Sequence, residues 1–158
     1  MKIVLPLLLF CCLLTACSPS SQKQTRFEIN GTQQERIARA TNILSKYCQL
    51  PGLLFDAHMA EDIADNSGGL VPGPSDSWLS GVLIIQTNDI AKWREALSPL
   101  RTVETSHKFT SPIKPPGWWP VSSSFIGCEF YEPKKLTGRS GGFVALSPTN
   151  CAIYFSTF

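Results

Sequence analysis

The sequence predicts an α+β domain, in which two or three helices pack on a mainly antiparallel sheet of about four strands. Two observations lead to this prediction. Apolar residues recur at helical spacing in the first half of the chain, and short apolar runs typical of strands fill the last third. The domain is expected to cover residues 26–158, a length that suits one hydrophobic core.

The first helix is predicted within residues 32–48. Thr32 and Glu35 have the spacing of a capping box, in which the two residues satisfy backbone N–H groups at the start of a helix. Pro51 and Gly52 then end the helical pattern. The apolar residues in between recur at steps of three and four and so share one face: Ile37, Ala40, Leu44, Tyr47 and Cys48.

Residues 53–65 are ambiguous, and we predict a second, shorter helix there. In a helix His58 lies one turn from Glu61 and Asp62, where a carboxylate can hold the imidazole as a base or the group can bind a metal. A solvated helix face is the favoured interpretation, because the order HMAED lacks the HExxH spacing of a zinc site.

The middle of the chain predicts one strand followed by one helix. Residues 78–87 contain the continuous apolar run 82–85, which favours a strand that is buried on both faces. Asn88 is the expected N-cap of the helix that follows. The inner face of this helix is expected to consist of Ile90, Trp93, Leu97 and Leu100.

Three further strands are predicted in residues 124–132, 141–147 and 151–158. The tetrapeptide SPTN between the last two has the composition of a hairpin turn. In that hairpin, the period-2 alternation places Val144 and Leu146 on one face and Phe143 and Ala145 on the other.

The segment PPGWWP holds two adjacent tryptophans, Trp118 and Trp119, between prolines. Two interpretations stay open. The rings can cover one end of the sheet, or they can anchor a binding partner, since tryptophan is enriched at interface hot spots and proline stiffens the segment. In an extended segment neighbouring side chains point to opposite sides, so we expect one ring to be buried and the other exposed.

The tract EPKKLTGRS carries three cations, Lys134, Lys135 and Arg139, between two predicted strands. A solvated hairpin loop is the favoured interpretation. Contact with lipid head groups or with an acidic partner is the alternative.

The first residues have the layout of a secretory signal: a single charge at Lys2, an apolar core over residues 3–14, and then small residues. The stretch LTAC, which ends at Cys17, resembles the lipobox of bacterial lipoproteins. This resemblance implies that the Cys17 sulfur receives a diacylglycerol, that residues 1–16 are removed, and that the new amine is acylated. Residues 17–25 then form the lipidated cysteine and a flexible tether.

Ser18 follows the predicted lipidation site. In enterobacterial lipoproteins a serine there usually permits export, so the resemblance implies an anchor in the outer membrane and a domain that faces the periplasm. Because that compartment is oxidising, we expect one disulfide among the three cysteines of the domain. The spacing cannot select the pair, although a bridge from Cys48 to Cys128 or Cys151 is favoured.

Composition excludes several function classes. Without Lys2, the chain has 13 Lys and Arg against 12 Asp and Glu, which is no electrostatic footprint for nucleic acid. There is no CxxC pair and histidine is scarce, so no metal site is predicted. Motifs for a hydrolase elbow or a phosphate loop are missing as well, and no catalytic residue or cofactor is assigned.

The leader and the general form are similar to small envelope lipoproteins of Gram-negative bacteria. We therefore expect a lipid-anchored protein that binds another protein, such as an inhibitor, an immunity factor against a toxin, or an assembly accessory. A hydrolase acting on lipid or peptidoglycan and a structural envelope lipoprotein are the alternatives. An enzyme requires a deep cleft around His58 or His107 with converging carboxylates, whereas a binding module requires an exposed apolar patch.

Overall fold

The computed structural model describes residues 23–65, 76–101, 112 and 114–158. In chain order the elements are β1 (Lys23–Glu28), α1 (Gln33–Leu44), β2 (Leu54–Asp65), β3 (Asp76–Ile85), α2 (Ile90–Leu97), β4 (Glu129–Tyr131), α3 (Lys134–Thr137), β5 (Gly142–Ser147) and β6 (Ala152–Thr157). Short 3-10 turns lie at Thr87–Asp89 and Ser122–Phe125.

The strands form one sheet with the order β1-β2-β3-β6-β5-β4, and every neighbouring pair is antiparallel. The predicted α+β class and the antiparallel sheet are confirmed. The strand count is wrong, because the described residues contain six strands instead of about four. One additional strand is β1, which includes residues 23–25 of the stretch assigned to the tether. The other is β2.

Residues 54–65 form the strand β2, so the prediction of a second helix there is wrong. Alanine and methionine favour helices on intrinsic propensity, but β2 pairs with β1 on one side and with β3 on the other, and this pairing decides the structure. In a strand the side chains alternate between two faces. His58 and Asp62 therefore share one face while Glu61 lies on the other, and the predicted cluster of these three does not form.

One face of the sheet is covered by helices, and we call it the helix face. α1 has the predicted capping box between Thr32 and Glu35, but it ends at Leu44 rather than near Cys48. Ala40 and Leu44 of α1 are fully buried against the sheet, in a core whose largest members include Trp93, Tyr131, Phe155, Met59 and Leu83.

Two details of the prediction for α2 are wrong. A 3-10 turn occupies Thr87–Asp89, so the helix begins at Ile90 and Asn88 is not its N-cap. Trp93 and Leu97 are buried as expected, whereas Leu100 lies beyond the helix and is 61% exposed.

The opposite face carries a second core, built from Val82, Phe125, Phe143, Ala145, Ala152 and Tyr154. Residues 114–128 lie on this face, and we call them the cap segment and the face the cap face. Val82 belongs to the cap-face core and Leu83 to the helix-face core, which confirms that β3 is buried on both faces.

The predicted hairpin of β5 and β6 is confirmed, and its alternation is as expected. Val144 and Leu146 lie on the helix face, and Phe143 and Ala145 lie on the cap face. The basic tract before this hairpin is not simply a solvated loop, since it contains α3, whose Leu136 is buried. Of the helices in the described part of the chain, none has the length and apolar character that crossing a bilayer requires.

Gly81 lies at the centre of β3, directly between Met59 of β2 and Phe155 of β6. A Cβ atom there would lie 2.4 Å from the Phe155 ring, which is fully buried and cannot move aside. We predict that Gly81→Ala lowers the free energy of unfolding by about 1–3 kcal/mol through overpacking. Chemical denaturation measures this loss. Gly117→Ala is the matched control, because a Cβ at Gly117 meets nothing within 4 Å, and equal losses for both variants would contradict the packing argument.

Candidate functional site

The two tryptophans lie in a turn of the cap segment rather than in an extended stretch. The Trp119 backbone N–H donates to the Pro116 carbonyl at 2.9 Å, which closes a four-residue turn. Because the backbone turns here, the two side chains do not alternate between opposite sides. Both rings are half-buried on the cap face and meet edge to face, with centroids 6.2 Å apart. The expected split into one buried and one exposed ring is therefore not observed.

Trp118 attaches the cap segment to the first two strands. Its ring stacks on His58, with centroids 5.8 Å apart and planes inclined by 26°. Its indole N–H donates to the carboxylate of Glu28 at the end of β1. A half-buried indole N–H needs such a partner, so these two contacts fix both the position and the rotation of the ring.

Trp119 continues the aromatic contacts across the cap face. The ring centroids of Trp119 and Phe125 are 6.4 Å apart. The centroid of Phe125 is in turn 5.2 Å from that of Tyr154 and 5.8 Å from that of Phe143. Edge-to-face and tilted geometries of this kind are favourable between aromatic rings. The inner side of the cap segment is thus an aromatic layer over the sheet.

The cap segment also carries two exposed apolar side chains. Val121 and Ile126 flank the 3-10 turn at Ser122–Phe125, and they are 68% and 81% exposed. We use the name cap surface for these two residues and the solvent-facing parts of the half-buried Trp118 and Trp119. Exposed apolar residues that cluster on one segment are typical of a protein-binding surface.

The polar neighbourhood of His58 is organised around Asp56. Arg36 of α1 donates to both carboxylate oxygens of Asp56 at 2.8 Å. Burial raises the pKa of Asp56, but the hydrogen bonds from Arg36 and from the Ala57 N–H outweigh it, so the pKa lies below its ordinary value. Nε2 of His58 is 3.6 Å from Asp56 Oδ2, which is too long for a hydrogen bond.

This geometry does not orient His58 as a general base. The Asp56 carboxylate is already bound by Arg36, and one face of the imidazole is covered by Trp118. Within the described ranges no three His, Cys, Asp and Glu side chains are placed to hold a metal ion. His107, the other histidine considered from the sequence, lies outside the described residues.

Two ion pairs that the sequence did not reveal tie elements together. Arg26 of β1 forms a bidentate pair with Asp62 of β2 at 2.7 and 2.8 Å, and only 5% of the Asp62 side chain is exposed. On the helix face, Arg139 donates to Glu61 at 2.6 Å. Each pair joins residues that are far apart in the chain, so no local pattern could have predicted it.

A third polar group joins α2 to β4. Arg94 donates to both oxygens of Glu129 at 2.8 and 2.7 Å, and the hydroxyl of Tyr131 donates to Glu129 at 2.7 Å. The Arg94 hydrogen bonds lower the pKa of Glu129 below its ordinary value. Burial, followed by the bond to Glu129, raises the pKa of Tyr131.

Cys48, Cys128 and Cys151 are all free thiols in the structure, so the disulfide expected from the sequence is not formed in it. Cys48 and Cys151 pack on the helix-face core, and Cys128 packs on the cap-face core. The sheet therefore separates Cys128 from the other two. Burial raises the pKa of Cys48 and of Cys128, which makes both thiols less reactive than an exposed cysteine.

An open pocket of about 250 Å³ lies on the helix face, between the end of α1 and strands β1 and β2. Its lining is mainly apolar: Phe27, Ile29, Ile43, Tyr47, Met59 and Leu79, with Lys46, Glu61 and Arg139 among the polar residues. The sequence did not indicate this pocket, because it forms only once β1 and β2 are strands.

Comparisons of this chain with family models, with curated proteins and with solved structures give no significant match. Cys17, the predicted lipidation site, lies outside the described residues.

The Glu129 group predicts a pH-dependent contribution to stability. Since the pKa of Glu129 is lowered by folding, its charge stabilises the fold fully above the ordinary glutamate pKa of about 4.3, and this stabilisation is lost as the pH falls through the folded pKa. We predict that Glu129→Gln lowers the free energy of unfolding at neutral pH and that this deficit shrinks in acid below that value.

Urea denaturation across this pH range measures the deficit. Glu95→Gln, on the exposed side of α2, is the control for removing one carboxylate from the same region. A Glu129→Gln deficit that stays constant down to the lowest pH would show that the charge on Glu129 does not contribute.

Proposed function

We propose that this protein is a lipid-anchored envelope protein that binds another protein through the cap surface, as an inhibitor, an immunity factor or an assembly accessory. The observation that carries the proposal is the exposure of Val121 and Ile126 on a segment whose inner side is fixed to the sheet by aromatic contacts. A rigid apolar surface loses little conformational freedom when a partner binds, which favours affinity. The lipobox at Cys17 supports the anchor.

The length of the tether supports this arrangement. Lys23 lies six residue steps after Cys17, and a fully extended stretch of that length spans at most about 20 Å. The far end of β1, at Glu28, lies about 17 Å further along the strand. Trp118 binds to that far end, so a domain held at Cys17 can present the cap surface away from the bilayer.

The hydrolase alternative receives less support. It needs a base within hydrogen-bonding reach of an orienting group, and His58 has an aromatic stack and a carboxylate at 3.6 Å instead. We therefore propose binding rather than catalysis as the role of this domain.

The anchor has a direct test. We predict that Cys17 carries the lipid, because LTAC follows a short apolar core. Cells grown with an alkyne-tagged fatty acid are expected to label the protein, and Cys17→Ser is expected to abolish the label. Cys48→Ser is the matched control and should label normally. Persistent labelling of the Cys17→Ser variant would refute acylation at this position.

The binding surface is tested by substitution of its most exposed residue. We predict that Ile126→Asp weakens capture of the partner from detergent-solubilised envelope at least tenfold, which corresponds to about 1.4 kcal/mol. Because Ile126 is 81% exposed, the thermal stability of the variant should stay close to that of the wild type.

Leu53→Asp is the matched control, since Leu53 is 72% exposed and lies outside the cap segment, just before β2. The same protein should be captured by the wild type and by Leu53→Asp in similar amounts. Equal capture by Ile126→Asp would place the binding surface elsewhere, and absence of any specific capture by the wild type would count against a binding function.

A further inference from the structure

β1 is an edge strand, and its register shows which backbone groups point away from the sheet. The Ile29 N–H donates to the Met59 carbonyl at 3.0 Å, and β1 pairs with β2 from Lys23↔Asp65 to Glu28↔Ala60. In an antiparallel pair the inward-bonding residues alternate along the strand. The odd-numbered residues of β1 thus bond to β2, and the even-numbered ones direct their N–H and C=O groups outward. Among the described strands, none pairs with this outer edge.

We propose that this edge pairs antiparallel with β1 of a second copy of the chain, in a register centred on Phe27. Such a contact is isologous, because the same residues are used on both copies and a two-fold axis relates them. It would join two sheets into one continuous sheet through the outward backbone groups.

The charges on β1 favour this register, because among the registers centred on Thr25, Arg26 and Phe27 it is the one that pairs opposite charges. Even-numbered residues must face even-numbered residues, because only these offer outward backbone groups. A register centred on Phe27 sets Arg26 opposite Glu28 of the second copy, and Glu28 opposite its Arg26. A register centred on Arg26 also satisfies the backbone, but it sets the two arginines directly opposite each other, which is destabilising. The strand is therefore complementary to itself in charge about Phe27.

The apolar side chains agree with the same register. Phe27 is 59% exposed although it belongs to a strand, and Tyr47 beside it is 52% exposed. In the proposed register the two copies of Phe27 form a non-hydrogen-bonded pair, the position at which side chains across two strands lie closest. Pairing would bring the two rings together and cover exposed surface beside the pocket of the helix face.

Two side chains on the edge compete with pairing without blocking it. Asn30 Nδ2 donates to the outward carbonyl of Glu28 at 3.3 Å in an exposed position, and a carbonyl oxygen has two lone pairs. Arg26 already binds Asp62, but a guanidinium has five N–H donors and only two are used there. In this register only residues 26–28 of β1 face β1 of the second copy, so the interface is small. Attachment of both copies to one membrane would strengthen the contact by raising their effective concentration.

Disulfide trapping in envelope membranes tests the register. Phe27→Cys brings two thiols to positions whose Cα atoms are about 4.5 Å apart, within the range of a disulfide. Thr25→Cys is the matched control, because it is on the same strand and the same face. In this register Thr25 faces Ile29 of the second copy, and its own two Cα atoms are about 13 Å apart, too far to bridge.

Full-length protein is oxidised in membranes and analysed without reductant, and peptide mapping identifies which positions are linked. We expect a species of twice the monomer mass for Phe27→Cys, linked at position 27, at a yield at least tenfold above that of Thr25→Cys. Adding Glu28→Gln to Phe27→Cys should lower the yield severalfold, because the charge is lost while a carbonyl acceptor for Trp118 is kept. Thermal melts check that each variant is folded, as expected because Thr25 and Phe27 are exposed and Glu28→Gln keeps the size of the side chain.

Four results would overturn the proposal. These are the absence of a dimer for folded Phe27→Cys, an equal or greater yield for Thr25→Cys, no response to Glu28→Gln, and a linkage of position 27 to a different protein. The last result would assign the edge to a strand of another partner. None of these outcomes depends on whether the cap surface binds a protein.

Discussion

The burial of β3 on both faces is the constraint on which the rest of this structure depends. Val82 and Leu83 are neighbours in the chain, and each lies in a different core. A sheet with such a strand at its centre needs a cover on each side, since neither face can be left to water. In the described part of the chain, helices cover only one of these two faces. The helix face is packed with Ala40, Leu44, Trp93 and Leu97, and the cap face has to be covered in another way.

The cap segment meets that need with aromatic rings instead of a helix. Phe125 is buried among Phe143 and Tyr154, and Trp119 extends the layer toward Trp118 and His58. Large rings cover much area per residue, so a short irregular segment is sufficient. The two interpretations of the tryptophan pair are therefore compatible. The rings cover the sheet, and by doing so they hold Val121 and Ile126 at the outside of a rigid segment.

The success of sequence reasoning followed the strength of each local pattern. The strand β3 could be predicted from its continuous apolar run, and the hairpin of β5 and β6 from its alternation and its turn residues. α1 could be predicted from its cap and its apolar face. β2 was missed because alanines and a methionine suit a helix equally well, and only pairing with strands on both sides decides against it. The turn at Pro116 was missed too, so the orientation of the tryptophan rings could not be derived.

β1 shows why an edge strand of polar sequence escapes such reasoning. Its residues KQTRFE contain a single large apolar side chain, so burial cannot be what fixes the strand to the sheet. The bidentate ion pair between Arg26 and Asp62 attaches the strand instead, and only 5% of the Asp62 side chain is exposed to water. A carboxylate in that position is costly without its partner, so the sheet and the strand depend on each other.

Under the proposed function the tether enters the domain at Lys23, at the start of this strand. Any pull from the membrane then acts along β1, against its ladder of hydrogen bonds to β2 and this ion pair together. A polar strand held by a buried ion pair thus lies where a lipid anchor would apply its pull to the domain.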